Sequence, residues 1–176
     1  MQKWQENIDN FINLVNKHNV QLIMVGGSAV QFHGYQRNSF DVDFWINPTT
    51  DNFDKLIAVF KDMGYDIKDF PKEVREQKQN ISIRFAPLDL DLELITNFSV
   101  NKSFDEAYKN ASILESPISG SPSRVLSLDD LIISKIKAGR TKDLLDIQEL
   151  QKIHKLVLPN KVEKVQKKNS KKGRSL

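Results

Sequence analysis

Residues 22–46 read LIMVGGSAVQFHGYQRNSFDVDFWI, an order that leaves the backbone few choices. Leu22 to Val25 form a short apolar run, right for a buried strand. Gly26, Gly27 and Ser28 follow at once. Glycines let the backbone turn sharply and approach a ligand closely. A serine at the mouth of the next helix adds a hydroxyl to unpaired N–H groups, a combination that cradles phosphate. Residues 29–32 are predicted to carry that short helix, with Gly34 ending it. Residues 41–46 are then predicted to be a second strand.

Alternation gives that second strand its meaning. Side chains at i and i+2 share a face, so Asp41 and Asp43 point one way and Val42 and Phe44 the other. At roughly 3.3 Å per residue, the Cα atoms of the two aspartates lie about 6.6 Å apart. Carboxylates at this spacing can share one hard cation or bridge two. Without a cation they repel by roughly 1 to 3 kcal/mol.

The rest of the chain is predicted from its periodicities. Residues 2–18 place Trp4, Ile8, Phe11, Ile12 and Val15 on one face of an amphipathic helix. A helix follows Thr49 and Thr50, burying Phe53, Leu56, Ile57 and Phe60, and Gly64 closes it. Residues 65–70 read as a poor strand or loop, and residues 71–79 as a polar surface helix. Residues 81–85 and 88–95 alternate and should pair as an antiparallel hairpin. The second of these strands carries leucines on one face and Asp89, Asp91 and Glu93 on the other. A short helix at 104–108 and short strands at 112–114 and 124–126 complete this part. Ser127 and Asp130 make a capping box for a helix whose apolar face is Leu128, Leu131, Ile132 and Ile136. That helix ends near Gly139. A last helix starts near Thr141 and is expected to bury Leu144, Ile147, Leu150 and Ile153.

GGSA, a short helix ending in Gly and then RxSxDxD together resemble the signature of the polymerase-β-like nucleotidyltransferase superfamily. The similarity is to its small bacterial members, among them minimal and antibiotic nucleotidyltransferases and abortive-infection toxins. The resemblance implies that Gly26, Gly27 and Ser28 hold nucleotide phosphates. It implies that Asp41 and Asp43 bind magnesium as catalytic carboxylates. A third metal carboxylate belongs on a later strand. Asp91, at mid-strand, is the choice, with Glu93 and Asp89 as alternatives. The run SLDDLIISKIKAGRTKDLLDIQEL also resembles the family, through Lys135, Arg140, Lys142, Asp143 and Asp146. Lysine offers a triphosphate a point charge and arginine a planar fork. Lys135, Arg140 and Lys142 therefore join the nucleotide-binding set, together with Arg37 and Ser39 of the loop before Asp41. Locally, Lys142 and Asp146 are also an ordinary i,i+4 pair.

These features imply a mixed α/β (α+β) fold. It has a mixed or antiparallel sheet of about five strands, helices on one side, and C-terminal helices near the mouth of the site. Residues 1–126 would form the catalytic core, 127–158 a helical pair packed on it, and 159–176 a basic, disordered tail. Residues 161–176 hold seven basic residues and one acid, leaving −3 for the rest of a chain whose net charge is +3. Such a tail could touch RNA, although a solvated end is the plainer reading. There is no cysteine, which removes thiol chemistry and cysteine-bound zinc and fits a reducing cytoplasm. Neither a signal peptide nor an apolar run of membrane-spanning length is expected.

The implied activity is transfer of a nucleoside monophosphate from a nucleoside triphosphate to an acceptor hydroxyl, with two Mg2+ ions and release of pyrophosphate. The acceptor could be an antibiotic, a tRNA end or a protein hydroxyl, and a homodimer or partner chain could complete its site. The alternative is a catalytically silent nucleotide- or partner-binding module of toxin–antitoxin type. All three acidic positions are filled, which argues against it. A P-loop is excluded because no Gly-Lys-Ser/Thr follows the glycines, and a Rossmann site because GxGxxG is absent. His33 is read as partly buried or at the surface, and His18 and His154 as structural, with no zinc-like spacing.

Overall fold

A computed structural model describes the backbone of residues 2–37, 41–85 and 90–155, and the side chains of 6–37, 41–84 and 91–155. Ser39, Asp89 and the basic tail lie outside the described residues, as does the side chain of Trp4. The elements in chain order are α1 (Gln2–Lys17), β1 (Leu22–Val25), α2 (Gly26–Phe32), β2 (Val42–Ile46), α3 (Thr50–Asp62), α4 (Lys72–Arg75), β3 (Ile81–Phe85), β4 (Leu90–Ile95), α5 (Phe104–Asn110), β5 (Ser112–Glu115), β6 (Pro122–Val125), α6 (Leu128–Ala138) and α7 (Thr141–His154).

The strands form one mixed sheet of six, rather than about five, in the order β3-β4-β2-β1-β6-β5. The extra strand comes from β5 and β6, two four-residue strands that pair antiparallel at one edge. β3 and β4 form the expected antiparallel pair, with Ile83 opposite Leu92. The central strands are β1 and β2, antiparallel, with Val25 opposite Asp43. β4 lies parallel to β2, and β6 parallel to β1.

Helices cover both faces of the sheet, not one. Phe44 packs on Phe11 of α1, with ring centroids 5.9 Å apart. Its neighbour Trp45 points the other way and meets Phe104 of α5 at 5.0 Å. All four residues of β1 are consequently buried. Caps place the helix ends where the sequence predicts them. The Thr49 hydroxyl accepts from the N–H of Asn52, Ser103 and Glu106 form a capping box, and Ser127 accepts from the N–H of Asp130. The Asp130 carboxylate takes the Ser127 hydroxyl and the Lys102 ammonium in return, tying the loop before α5 to α6. Residues 65–70 form no strand, and the polar helix expected at 71–79 shortens to the single turn of α4.

The face that α7 buries differs from the leucine and isoleucine stripe expected. Asp143, Asp146, Ile147 and Leu150 are buried, Leu144 is half-buried and Ile153 is exposed. Lys135 of α6 faces these two aspartates. The seam between the C-terminal helices is therefore partly ionic. Leu131 and Leu150 still join the apolar core that surrounds β1 and β2.

Candidate active site

The turn after β1 and the start of β2 meet because the two strands pair antiparallel. With Val25 opposite Asp43, the Asp43 side chain lies directly against Gly26. A Cβ on residue 26 would sit 2.0 Å from Asp43 Oδ2, and Gly26 has a φ of +60°. Both facts demand glycine here: the left-handed backbone disfavours a side chain, and the carboxylate already fills its space. α2 starts at Gly26, three residues earlier than the sequence suggests, with no side-chain cap. The N–H of Gly27 instead donates to Asp43, and the Ser28 hydroxyl lies 3.5 Å from the Asp41 carbonyl oxygen.

The parallel pairing of β2 with β4 supplies the acidic neighbours. Asp43 is level with Glu93, and Val42 with Leu92. Asp91 and Glu93 lie on the same face of β4, since they are two positions apart along the strand. Asp91 pairs with Arg84 at 3.1 Å, and Glu93 accepts from the side chain of Asn80 at 2.8 Å. Burial pushes the Asp43 carboxyl above its ordinary range, and the charges of Glu93 and Asp41 push it further. The Gly27 N–H and Lys142 work in the opposite direction. The acid nearest to Asp43 on β4 is thus Glu93, whereas mid-strand position alone favours Asp91. No three Asp, Glu or His side chains among the described residues converge closely enough to cage a metal ion as they stand. The acidic group suits a hard cation by its chemistry: carboxylate oxygens on one sheet face, two of which raise the proton affinity of a third.

The C-terminal helices bring cations to the same place. Arg140, in the turn between α6 and α7, hydrogen-bonds the Asp143 carboxylate at 2.6 Å. That bond holds the guanidinium's pKa above its ordinary range, with the charges of Asp143, Asp43 and Asp146 adding to it. Lys142 is exposed and acts electrostatically on Asp43. Lys135 is placed differently from what the resemblance implies. It is buried at 4% exposure, with its ammonium 2.7 Å from Asp146 and 3.2 Å from Asp143. Burial opposes ionisation of Asp143, but the Arg140 hydrogen bond and the Lys135 charge outweigh it and hold its carboxyl below the usual range. Arg37 reaches the same cluster, with Nε 3.6 Å from Asp146 Oδ1.

Of the predicted residues, Gly26, Gly27, Ser28, Asp41 and Asp43 therefore stand together, with Arg140 and Lys142 at the start of α7 acting electrostatically on Asp43. Gln31 was not anticipated. Its side-chain amide donates to the Arg37 carbonyl and fixes the loop between α2 and β2. His33 is half-buried against the Leu126 carbonyl at 2.8 Å, while His18 and His154 bond Asp62 and the His33 carbonyl, all structural roles. A concavity of about 480 Å3 lies elsewhere, between Phe60, Phe70, Val74 and the outer strand β3, and contains none of the predicted site residues.

No match is found among curated proteins. Among the solved structures that share the fold are two of one protein. One is the solution structure of the antibiotic-resistance factor ANT(2'')-Ia, 15% identical over 97% of this chain and 93% of that one, with a TM-score of 0.53. The other is the crystal structure of ANT(2'')-Ia in complex with adenylyl-2''-tobramycin, 16% identical over 93% and 94% of the two chains, with a TM-score of 0.53. Residues 5–172 match a family profile described as a nucleotidyltransferase of unknown function (DUF6036). With almost its whole length covered, the chain belongs to this nucleotidyltransferase family.

Proposed function

We propose that the protein is a magnesium-dependent enzyme that transfers a nucleoside monophosphate from a nucleoside triphosphate to an acceptor hydroxyl. The observation that carries this reading is the interlock of Gly26 with Asp43, which sets the Gly-Gly-Ser turn directly against a carboxylate flanked by two more. Asp41, Asp43 and Glu93 would hold two Mg2+ ions, with Glu93 taking the third place in preference to Asp91. Bound there, magnesium would offset the triphosphate's charge and ease loss of the acceptor's proton.

The chain's own groups do the rest. The Ser28 hydroxyl binds phosphate at the turn while the Gly27 N–H holds Asp43, and Arg140 and Lys142 meet the phosphate charge from the other side. The acceptor oxygen attacks the α-phosphorus and a new O–P bond forms. The bond from the α-phosphorus to the bridging oxygen breaks, and pyrophosphate leaves with that electron pair. The acceptor's proton passes to a carboxylate, and Asp91, beside the exposed Arg84, is our choice of base. Much of the rate enhancement then comes from positioning and fixed charge. The solved complex of ANT(2'')-Ia holds an adenylylated antibiotic, which makes small aminoglycoside-like hydroxyls the first acceptors to try and ATP the first donor.

Thermal unfolding with Mg2+ and each nucleoside triphosphate tests the reading, on the wild type and on Asp41→Ala/Asp43→Ala. A ligand at 100 times its Kd adds about 2.7 kcal/mol. A magnesium-dependent rise in Tm that is lost in the variant, followed by transfer of labelled nucleotide to an acceptor, supports it. Nucleotide binding without transfer to any acceptor class would favour a silent binding module, and no binding at all would overturn the reading.

A further inference from the structure

The most unusual feature outside the acidic cluster is a chain of alternating charges that runs from the loop before β2 into the α6–α7 seam. Arg37 faces Asp146, Asp146 faces Lys135, Lys135 faces Asp143, and Asp143 faces Arg140. Asp143, Asp146 and Lys135 are 0%, 1% and 4% exposed. Buried charges are costly unless each has a partner, and here each has one. The chain holds three cations and two carboxylates, so one positive charge is in surplus beside the acidic face.

Its two ends differ. Arg140 is held by a short, charge-assisted bond inside α7's first turn. Arg37 is held across elements. The Arg37 Nε is buried without a hydrogen bond, and its separation of 3.6 Å from Asp146 Oδ1 is too long for one. The Asp146 charge therefore steers the guanidinium without tying up its donors. The other hold on Arg37 is at the backbone, where Gln31 of α2 donates to its carbonyl. α2 is the same helix that begins at the GGS turn.

We infer that Asp146 and Gln31 are positioning residues that set Arg37 against the phosphate turn, and that buried Lys135 locks Asp146 in place instead of contacting nucleotide. This rests on the proposed function, in which Arg37 is a phosphate ligand. Through Arg37, the C-terminal helix pair and the GGS turn become parts of one binding device. Asp146 neutralises only part of the Arg37 charge, because Lys135 draws on the same carboxylate. The arginine therefore keeps donors and charge for an anionic ligand.

A double-mutant cycle on the full chain decides it. The Kd for Mg–ATP is measured by calorimetry for wild type, Arg37→Ala, Asp146→Asn and the double variant, with Tm recorded for each. Arg37→Ala is expected to weaken binding about 10-fold or more, the scale of a lost charge-assisted bond. Asp146→Asn should weaken it severalfold in wild type and less than about 2-fold in the Arg37→Ala background. Equal factors in both backgrounds, or an Asp146→Asn effect on Tm alone, would overturn the inference. If Asp146→Asn does not fold, Gln31→Met at a half-buried site takes its place in the same cycle, with the same expectation. Failure of the wild type to bind Mg–ATP would bring down the functional reading, and this inference with it. Binding without coupling brings down this inference alone.

Discussion

Asp43→Asn should make the protein more stable and inactive at once. Asp43 sits on β2 level with Glu93 on the adjacent β4, and adjacent strands lie about 4.8 Å apart. Two unit charges at that separation repel by about 0.9 kcal/mol at a dielectric of 80 and about 3.5 kcal/mol at 20. Asn keeps the shape and can still accept from the Gly27 N–H, so the substitution removes the charge and little else. The expected gain at pH 7 is about 1 to 3 kcal/mol, or roughly 2 to 12 °C in Tm for a chain of this size. The folded-state pKa of Asp43 lies above its ordinary value of 3.8, through burial first and then the charges of Glu93 and Asp41. Its contribution to stability is therefore full below 3.8 and is lost as pH rises through the folded value. Wild type carries that loss at neutral pH and the Asn variant does not. The variant's advantage should be largest at pH 7 and shrink as the buffer is made acidic. Metal-free thermal melts from pH 7.5 down to 4 read this directly. Nucleotidyl transfer should fall by about 100-fold or more, the scale for losing a group that stabilises transition-state charge. A variant that melts below wild type at pH 7, or a difference that ignores pH, would refute the reasoning.

Gly26→Ala forces a Cβ into the left-handed region at about 1 to 2 kcal/mol, and onto the Asp43 carboxylate. Tm should fall by several degrees and the Mg–ATP-dependent shift in Tm should disappear; an alanine variant that binds nucleotide normally would show that the interlock is incidental. Lys135→Met removes the shared partner of two buried carboxylates and should cost about 3 to 5 kcal/mol in urea denaturation, as breaking a buried pair does. A loss below about 1 kcal/mol would mean that the seam repacks around the missing charge. Asp143 has a folded pKa below its ordinary 3.8, so its stabilisation is whole above that value and is lost as pH falls through the folded one. Asp143→Asn should accordingly be destabilised at pH 7 and converge on wild type in strong acid, in metal-free melts carried below pH 3.8.

The local pattern made much of the fold legible. Strict alternation in residues 90–95 and 81–85 specified both the faces and their antiparallel pairing, and the structure has Ile83 opposite Leu92. Ser127, with Asp130 three residues on, marked the start of α6. Long-range register was not legible. Alternation says that Asp91 and Glu93 share a face, but a shift of two residues leaves that face unchanged. Only the parallel contact of β4 with β2, two strands far apart in sequence, brings Glu93 level with Asp43. The ionic seam did leave a signal. Lys135 is four residues after Leu131, and Asp143 and Asp146 are four before Ile147 and Leu150, on the faces that become buried. A charge on an apolar stripe is usually a partly exposed residue at its margin. Here three such charges compensate one another, which no single helix's pattern reveals. The 65–70 segment alternates only from Tyr65 to Lys68 before Asp69 breaks the pattern, and it forms no strand.

The two halves of the site depend on each other electrostatically. On the sheet, Asp43 is pushed toward protonation by its own surroundings, so the acidic face is set against its full ionisation. Across from it, Lys142 acts on Asp43 in the opposite sense, and the Asp43 charge raises the pKa of Arg140. Neither helix cation makes an ion pair with Asp43 among the described contacts, so the attraction acts through longer-range electrostatics. A polyphosphate bound between them would meet the cations at the start of α7 on one side. The carboxylates on its other side would repel it unless cations intervened. This arrangement suits a metal-bound nucleotide and disfavours a bare one. ATP without magnesium should therefore bind far more weakly than Mg–ATP to the wild type, and that difference should narrow in Asp43→Asn, where one repelling charge is gone. A bare nucleotide that binds as tightly as the magnesium complex would mean that the acidic face stands apart from the phosphate site, and that the α7 cations alone do the holding.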